Sequence, residues 1–261
     1  MNAADEVRFD VKGGVARITI DRPERRNALN ARTSELLVDF LGRAEQDDDV
    51  TVIVLTGAGD RAFCAGADLK ELDETASRGR QIHTPMTGPI RNIFEVVLET
   101  YKPVIARLNG PAVAGGCELA LACDIRVAAE HAHLAMPEAK RGMGANFATV
   151  MLPRMLPSAI AYETLYTGES LAASEAYRWG LYNRVVPAHD LDEVTDALAA
   201  AIAANAPLTL RRVKEMAVKS AGHPIASALR LNVGPNPYLS ADREEGVRAY
   251  LEKRAPVWQG R

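Results

Sequence analysis

Cysteine is scarce in this chain of 261 residues, limited to Cys64, Cys117 and Cys123. An odd count without metal-ligand spacing gives no basis for a disulfide framework or a zinc site, and the three read as reduced core residues. Long apolar runs are also missing, since every hydrophobic stretch meets a charge before the roughly 20 residues a membrane span requires. The opening MNAADEVRFD has neither the basic nor the apolar region of a signal peptide, so a cytoplasmic location is expected. There is no basic block: 31 Lys and Arg stand against 34 Asp and Glu, for a net charge of −3. A chain so balanced is poorly suited to tracking phosphates, and nucleic acid is not an expected partner.

What the chain does have is apolar content, 48% of its residues, enough for a large core. Val7 to Val11 and Val15 to Ile20 alternate around Gly13-Gly14 and predict a hairpin closed by a turn of positive φ. Thr33 is placed to cap a helix whose Leu36, Leu37, Phe40 and Leu41 share a face. The β-branched run at 50 to 57 predicts a strand buried on both sides. A second unit follows: a helix at 87 to 101, a strand at 104 to 109, a small-residue helix from Gly115 and a strand at 125 to 129. Ser158 is the expected cap of a helix to about Thr167, Gly180 ends the next one, and 183 to 187 is a short strand. These make residues 1–188 an α/β core of repeated strand-strand-helix units. From 189 to 261 the pattern is helical, broken at Pro207, Pro224, Pro235 and Pro237, and suits contact with a neighbouring copy. Arg211, Arg212, Lys214 and Lys219 predict a solvated helix face.

Three stretches carry chemistry. In RAFCAGADLKEL, residues 61 to 72, a turn of small residues leads to Asp68 at a helix start, where outward N–H groups attract negative charge. In NGPAVAGGCELALAC, residues 109 to 123, Gly115-Gly116 precede a second helix, so the Ala67 and Gly115 amides form a candidate pair of donors for one oxygen, an oxyanion hole. Glu118 is the lone charge of that stretch. It reads either as a working acid or as a first-turn residue favoured by the helix dipole. In HLAMPEAKRGMG, residues 133 to 144, Glu138 follows Pro137 at a strand end. It is a second acid candidate, or a surface glutamate paired with Lys140 or Arg141.

Together with RPERRNALN at 22 to 30, RWGLYNRVVP at 178 to 187 and EEGVRAYLEKRAPVW at 244 to 258, these blocks run in order along nearly the whole chain. They resemble the crotonase superfamily, the enoyl-CoA hydratases and isomerases. The resemblance implies a spiral of ββα turns closed by C-terminal helices that trimerise, commonly as paired trimers. It implies a coenzyme A thioester whose carbonyl oxygen lies between the amides of Ala67 and Gly115. At the positions matching the hydratase acids stand Glu118 and Glu138. Arg25, Ala28, Ala65, Asp68, Leu69 and Lys70 match the coenzyme A path, with Tyr250 and Lys253 reaching over from the C-terminal helices. Coenzyme A belongs to the substrate in such enzymes, and no metal or redox cofactor is implied. Hydration or dehydration is therefore the expected activity, with double-bond isomerisation and a non-catalytic, RNA-binding role as rivals. One departure stands out: GMGANFATV replaces the usual proline-glycine turn, and Asn146 there either meets an extra polar group of the substrate or caps the next helix.

Overall fold

In the computed structural model, which describes residues 6–78, 86–87 and 91–261, the alternating N-terminal segments form β1 (Val7–Lys12) and β2 (Val15–Ile20). Gly13 and Gly14 join them at φ of 58° and 80°, the turn geometry that matches strand twist. Helix α1 (Ala31–Gln46) follows, then β3 (Val52–Gly57) and α2 (Leu69–Ser77). Thr33 is not the cap of α1: the Asn30 side chain accepts from Thr33 N at 2.7 Å. The Thr33 hydroxyl instead donates to Glu6.

Next come α3 (Ile93–Glu99), β4 (Val104–Leu108), β5 (Ala112–Val113), α4 (Gly115–Ala122), β6 (Ile125–Ala129) and β7 (His133–Ala135). The helix expected at 87 to 101 is thus shorter. It starts after a capping box in which Asn92 and Glu95 satisfy each other's main-chain amides; residues 88 to 90 of that expectation lie outside the described residues. A 3₁₀ turn at Pro137–Arg141 leads to α5 (Asn146–Met155), α6 (Ser158–Thr167), β8 (Ser170–Ala172), α7 (Ala173–Arg178) and β9 (Arg184–Val186). Ser158 is the first helical residue of α6 and its side chain caps nothing; Pro157 holds the cap position. The chain ends with α8 (Leu191–Ala203), α9 (Pro207–Ser220), α10 (Ile225–Ala228) and α11 (Ala241–Glu252).

Six strands form one sheet in the order β1-β2-β3-β4-β6-β9, parallel except for the β1–β2 hairpin. Strands β5, β7 and β8 form a second, smaller sheet. The chain therefore steps from a strand of the large sheet to one of the small sheet and on to a helix: β4, β5, α4, then β6, β7 and the helices after it. All six residues of β3 are buried, as expected of a strand covered on both faces. Ile53 and Leu55 enter the main core, while Val52 and Val54 turn to the opposite face. There they meet Leu191 and Ala199 of α8, so the first helix after residue 189 covers the large sheet.

Helix α9 departs from the solvated face expected of it. Lys214 is 7% exposed, and its ammonium donates to Asp124 at 2.8 Å and to the Lys102 carbonyl at 3.1 Å. Lysine is rarely buried unless paired, and this pair ties α9 to the loop between α4 and β6. Arg211 pairs with Glu215 and lies over Tyr101.

Candidate functional site

The site begins where two small-residue loops touch. Gly66 has a φ of 83°, and a Cβ there would lie 2.8 Å from Gly115 N and 2.9 Å from the Val113 carbonyl. Only glycine allows both the backbone conformation and this approach. Isolated bridges pin the same loop on either side, Leu29 to Ala67 and Cys64 to Ala112. As a result the Ala67 amide nitrogen lies only 3.8 Å from where a Gly115 Cβ would be. Neither amide has a main-chain acceptor among the described residues. Just before Gly115, Ala114 adopts φ 55° and ψ −126°, a conformation that costs an ordinary residue about 1–3 kcal/mol. This turn swings the chain from β5 into α4 and leaves the Gly115 N–H at the helix start, where no intrahelical acceptor exists.

Glu118, one turn into α4, is 7% exposed. Its Oε1 accepts from the Ala148 amide at 3.0 Å, in the first turn of α5. The cap residue of α5, Ala145, has no polar side chain to offer, so the carboxylate of another helix fills that role. Burial penalises the charged form and, aided by Glu138, outweighs the Ala148 and Phe147 amides; the pKa rises to about 7.

Glu138 sits in the 3₁₀ turn and is also 7% exposed. It pairs with neither neighbouring cation: Lys140 reaches Glu169 at 2.6 Å, and Oε2 of Glu138 is buried without a hydrogen-bond partner. Burial raises its pKa, opposed more weakly by its own amide and by the charge of Arg141. Two protonatable carboxyls from separate segments thus face one space.

That space is a cavity of about 970 Å³. Arg25, Ala28, Ala65, Ala67, Asp68, Leu69, Lys70, Gly115, Glu118 and Glu138 all line it. Tyr250 and Lys253 do not. Tyr250 is 84% exposed near the end of α11, and Lys253 forms the left-handed cap of that helix at φ 54°. Asn146 does not cap α5. It is the first residue of α5 and does not line the cavity, and its side-chain oxygen comes within 3.1 Å of a Cβ placed on Gly144.

Several residues that build the site escape the sequence. Arg22 donates to Asp68 at 3.0 Å and to the Ala28 carbonyl at 2.5 Å, clamping the loop after β2 to the loop before α2. Burial pushes the Asp68 carboxyl up, yet the bond and charge of Arg22 prevail and hold it below the usual range. Asn27, fully buried at φ 55°, donates to the Ala58 and Ala62 carbonyls. Asn109 donates to Gly59 and Ala62 from the other side. A buried asparagine between glycine-rich loops is the signal that marks both. Phe94, His133, Arg141 and Met143 also line the cavity, and Phe94 stacks at a tilt on Phe147, 5.7 Å between centroids. Among the described residues no helix is long and apolar enough to cross a membrane.

A sequence profile of the enoyl-CoA hydratase/isomerase family matches residues 10–261. Carnitinyl-CoA dehydratase of Salmonella typhi is 38% identical over 95% of this chain and 96% of its own length. The protein of that name from Proteus mirabilis is 37% identical over 99% of this chain and all of its own. Among solved structures, an enoyl-CoA hydratase from Mycobacterium tuberculosis superposes with a TM-score of 0.88 at 35% identity, covering 98% of this chain and 99% of that one. An enoyl-CoA hydratase from Bacillus anthracis gives 0.86 at 32% identity, covering 98% and 100%.

Proposed function

Because this chain belongs to the enoyl-CoA hydratase/isomerase family, we propose that it adds water across the α,β double bond of a 2-enoyl-CoA, or removes water from a 3-hydroxyacyl-CoA. The observation that carries this reading is two buried carboxyls, Glu118 and Glu138, sharing a cavity with the unengaged amides of Ala67 and Gly115.

In hydration the water oxygen bonds to Cβ, the π electrons move toward the thioester oxygen, and negative charge grows there. The Ala67 and Gly115 N–H groups bind that oxygen most strongly at this point, which lowers the barrier rather than merely holding substrate. One carboxylate takes the proton of the attacking water, and the other carboxyl gives a proton to Cα; dehydration reverses both transfers. The working state has one proton on the pair, and the two titrate as a unit. No electrons leave the substrate and no further reactant is consumed, so the reading assigns no metal or redox cofactor.

Arg25 and Lys70 supply charge to the phosphates of coenzyme A, while Ala28, Ala65 and Leu69 give its pantetheine and adenine a close, small-residue path. Asp68 acts through Arg22, holding that path in shape. The same reading has copies of the chain assemble as trimers, single or paired, through the C-terminal helices. Tyr250 and Lys253 then serve coenzyme A bound in a neighbouring copy. The exposure of Tyr238, Leu239, Tyr250 and Leu251, each above 70%, supports it.

Incubation with crotonyl-CoA tests the reaction: hydration removes the absorbance of the conjugated thioester, whereas an isomerase leaves it intact. Glu118→Gln and Glu138→Gln should each lower kcat by about a hundredfold to ten-thousandfold. Near-normal turnover in either variant overturns the two-acid assignment. Calorimetric titration with coenzyme A separates an enzyme from a scaffold, which would bind none.

A further inference from the structure

The stretch after Glu138 brings an unpaired cation to a wall of the cavity. Pro137–Arg141 is a 3₁₀ turn, with three residues per turn, so side chains three apart lie one above the other. Arg141 therefore shares the face of Glu138. Both line the cavity, and Met143 and Gly144 continue the same wall. The lining also includes apolar residues of α3 and β5: Ile93, Phe94 and Val113. The cations suited to phosphate, Arg25 and Lys70, arise from other segments, the loop after β2 and the start of α2.

The neighbouring lysine has a carboxylate of its own, Lys140 with Glu169 at 2.6 Å. Arg141 has no carboxylate partner among the described residues. Glu138, three residues back on the same turn, feels the charge of Arg141, yet neither Glu138 nor Glu118 forms an ion pair with it among the described residues: Oε2 of Glu138 has no hydrogen-bond partner, and Glu118 is engaged by the Ala148 amide. A guanidinium in this position is a planar fork of donors without an acceptor, and its natural complement is a carboxylate bound by two parallel hydrogen bonds.

We infer that Arg141 makes this site selective for acyl-CoA thioesters whose acyl chain ends in a carboxylate. This rests on reading the cavity as an acyl-CoA site. A cationic acyl group, such as the carnitinyl group in the names of the relatives, meets like charge at Arg141 and is disfavoured, even though the two catalytic acids are retained.

Three 2-enoyl-CoA probes of matched length test the inference: 4-carboxybut-2-enoyl-CoA, pent-2-enoyl-CoA and 4-(trimethylammonio)but-2-enoyl-CoA. In the unaltered protein kcat/KM is expected to be highest for the first and lowest for the third. Arg141→Leu should reduce the ratio of carboxylated to neutral substrate by about ten- to a hundredfold, the worth of a charged hydrogen-bonded pair. It should also raise the ratio of cationic to neutral substrate. Arg141→Lys, which keeps the charge and loses the fork, should fall between. Equal losses on all three probes would place Arg141 on the shared coenzyme A portion and overturn the inference, as would unchanged ratios or a preference for the cationic probe.

Binding separates this result from the hydration reading. Glutaryl-CoA and pentanoyl-CoA, which cannot be hydrated, are titrated calorimetrically into both proteins. A preference for glutaryl-CoA that disappears in Arg141→Leu supports the selectivity even if no probe is turned over, in which case only the hydration reading fails. Equal binding of the two ligands by the unaltered protein overturns the selectivity whatever the kinetics show.

Discussion

Glu118 does two jobs at once, holding the first turn of α5 through the Ala148 amide and presenting a carboxyl to the cavity. Its pKa of about 7, against 4.5 for an unburied glutamate, also makes it a term in folding stability. The folded state binds the proton more tightly than the unfolded one, so this group's contribution is most favourable below about pH 4.5 and is lost as pH rises toward 7. The full difference is on the order of 3 kcal/mol. Glu118→Gln keeps an oxygen for the Ala148 amide but cannot ionise. Urea unfolding at pH 5 and pH 7.5 should show the variant gaining stability relative to the unaltered protein as pH rises; a constant difference would contradict the buried, raised carboxyl. Rates respond too: kcat/KM should be bell-shaped, with its falling limb near pH 7 as the pair loses its shared proton. At Gly66 a methyl group meets the Gly115 nitrogen at 2.8 Å in a backbone conformation that alanine resists. Gly66→Ala should cost at least about 2 kcal/mol and most of the activity, read by denaturation and turnover together.

Among the elements, α9 is tied to the core by the buried ammonium of Lys214. Lys214→Ala removes the partner of Asp124, which is 30% exposed and so retains some hydration. A loss of about 1–3 kcal/mol is expected, smaller than for a fully sealed pair, with faster amide exchange along α9 than along α4 as the second readout. Sequence reading misplaces this lysine because periodicity sees polar residues on one side of a helix, and Lys214 finds its partner 90 positions away. Thr33 is misjudged for a related reason: both Thr33 and Asn30 suit a helix start, and the side chain of Glu6 draws the threonine hydroxyl away. By contrast the β1–β2 hairpin, the doubly buried β3 and the helix from Gly115 are legible, since local pattern alone dictates them. The acids and the two amide donors are legible as residue types in glycine-rich surroundings. That they meet is not, because it depends on Gly66 letting two distant loops touch. The hold of the α5 amides on Glu118 is equally hidden, and so is the place of Arg141 in the cavity lining.

For the whole molecule, the large sheet is sealed on its second face by α8, while the helices beyond it leave apolar side chains uncovered. Tyr238, Leu239, Tyr250 and Leu251 are all more than 70% exposed. A chain of 28.2 kDa presenting such a surface should sediment at about three or six times that mass. Replacing Leu239 and Leu251 by aspartate should shift it toward the single-chain mass and weaken coenzyme A binding, because Tyr250 and Lys253 would no longer reach a neighbour's cavity. A single-chain mass for the unaltered protein would refute both expectations.

The clamp of Glu118 on α5 reaches furthest. A neutral carboxyl grips an amide less firmly than an ionised one. Every proton that arrives at or departs from this side chain during the proposed reaction therefore tightens or slackens the start of α5, and with it Phe147, whose ring leans on Phe94. The Phe94 side of the cavity is thereby coupled to the charge on Glu118.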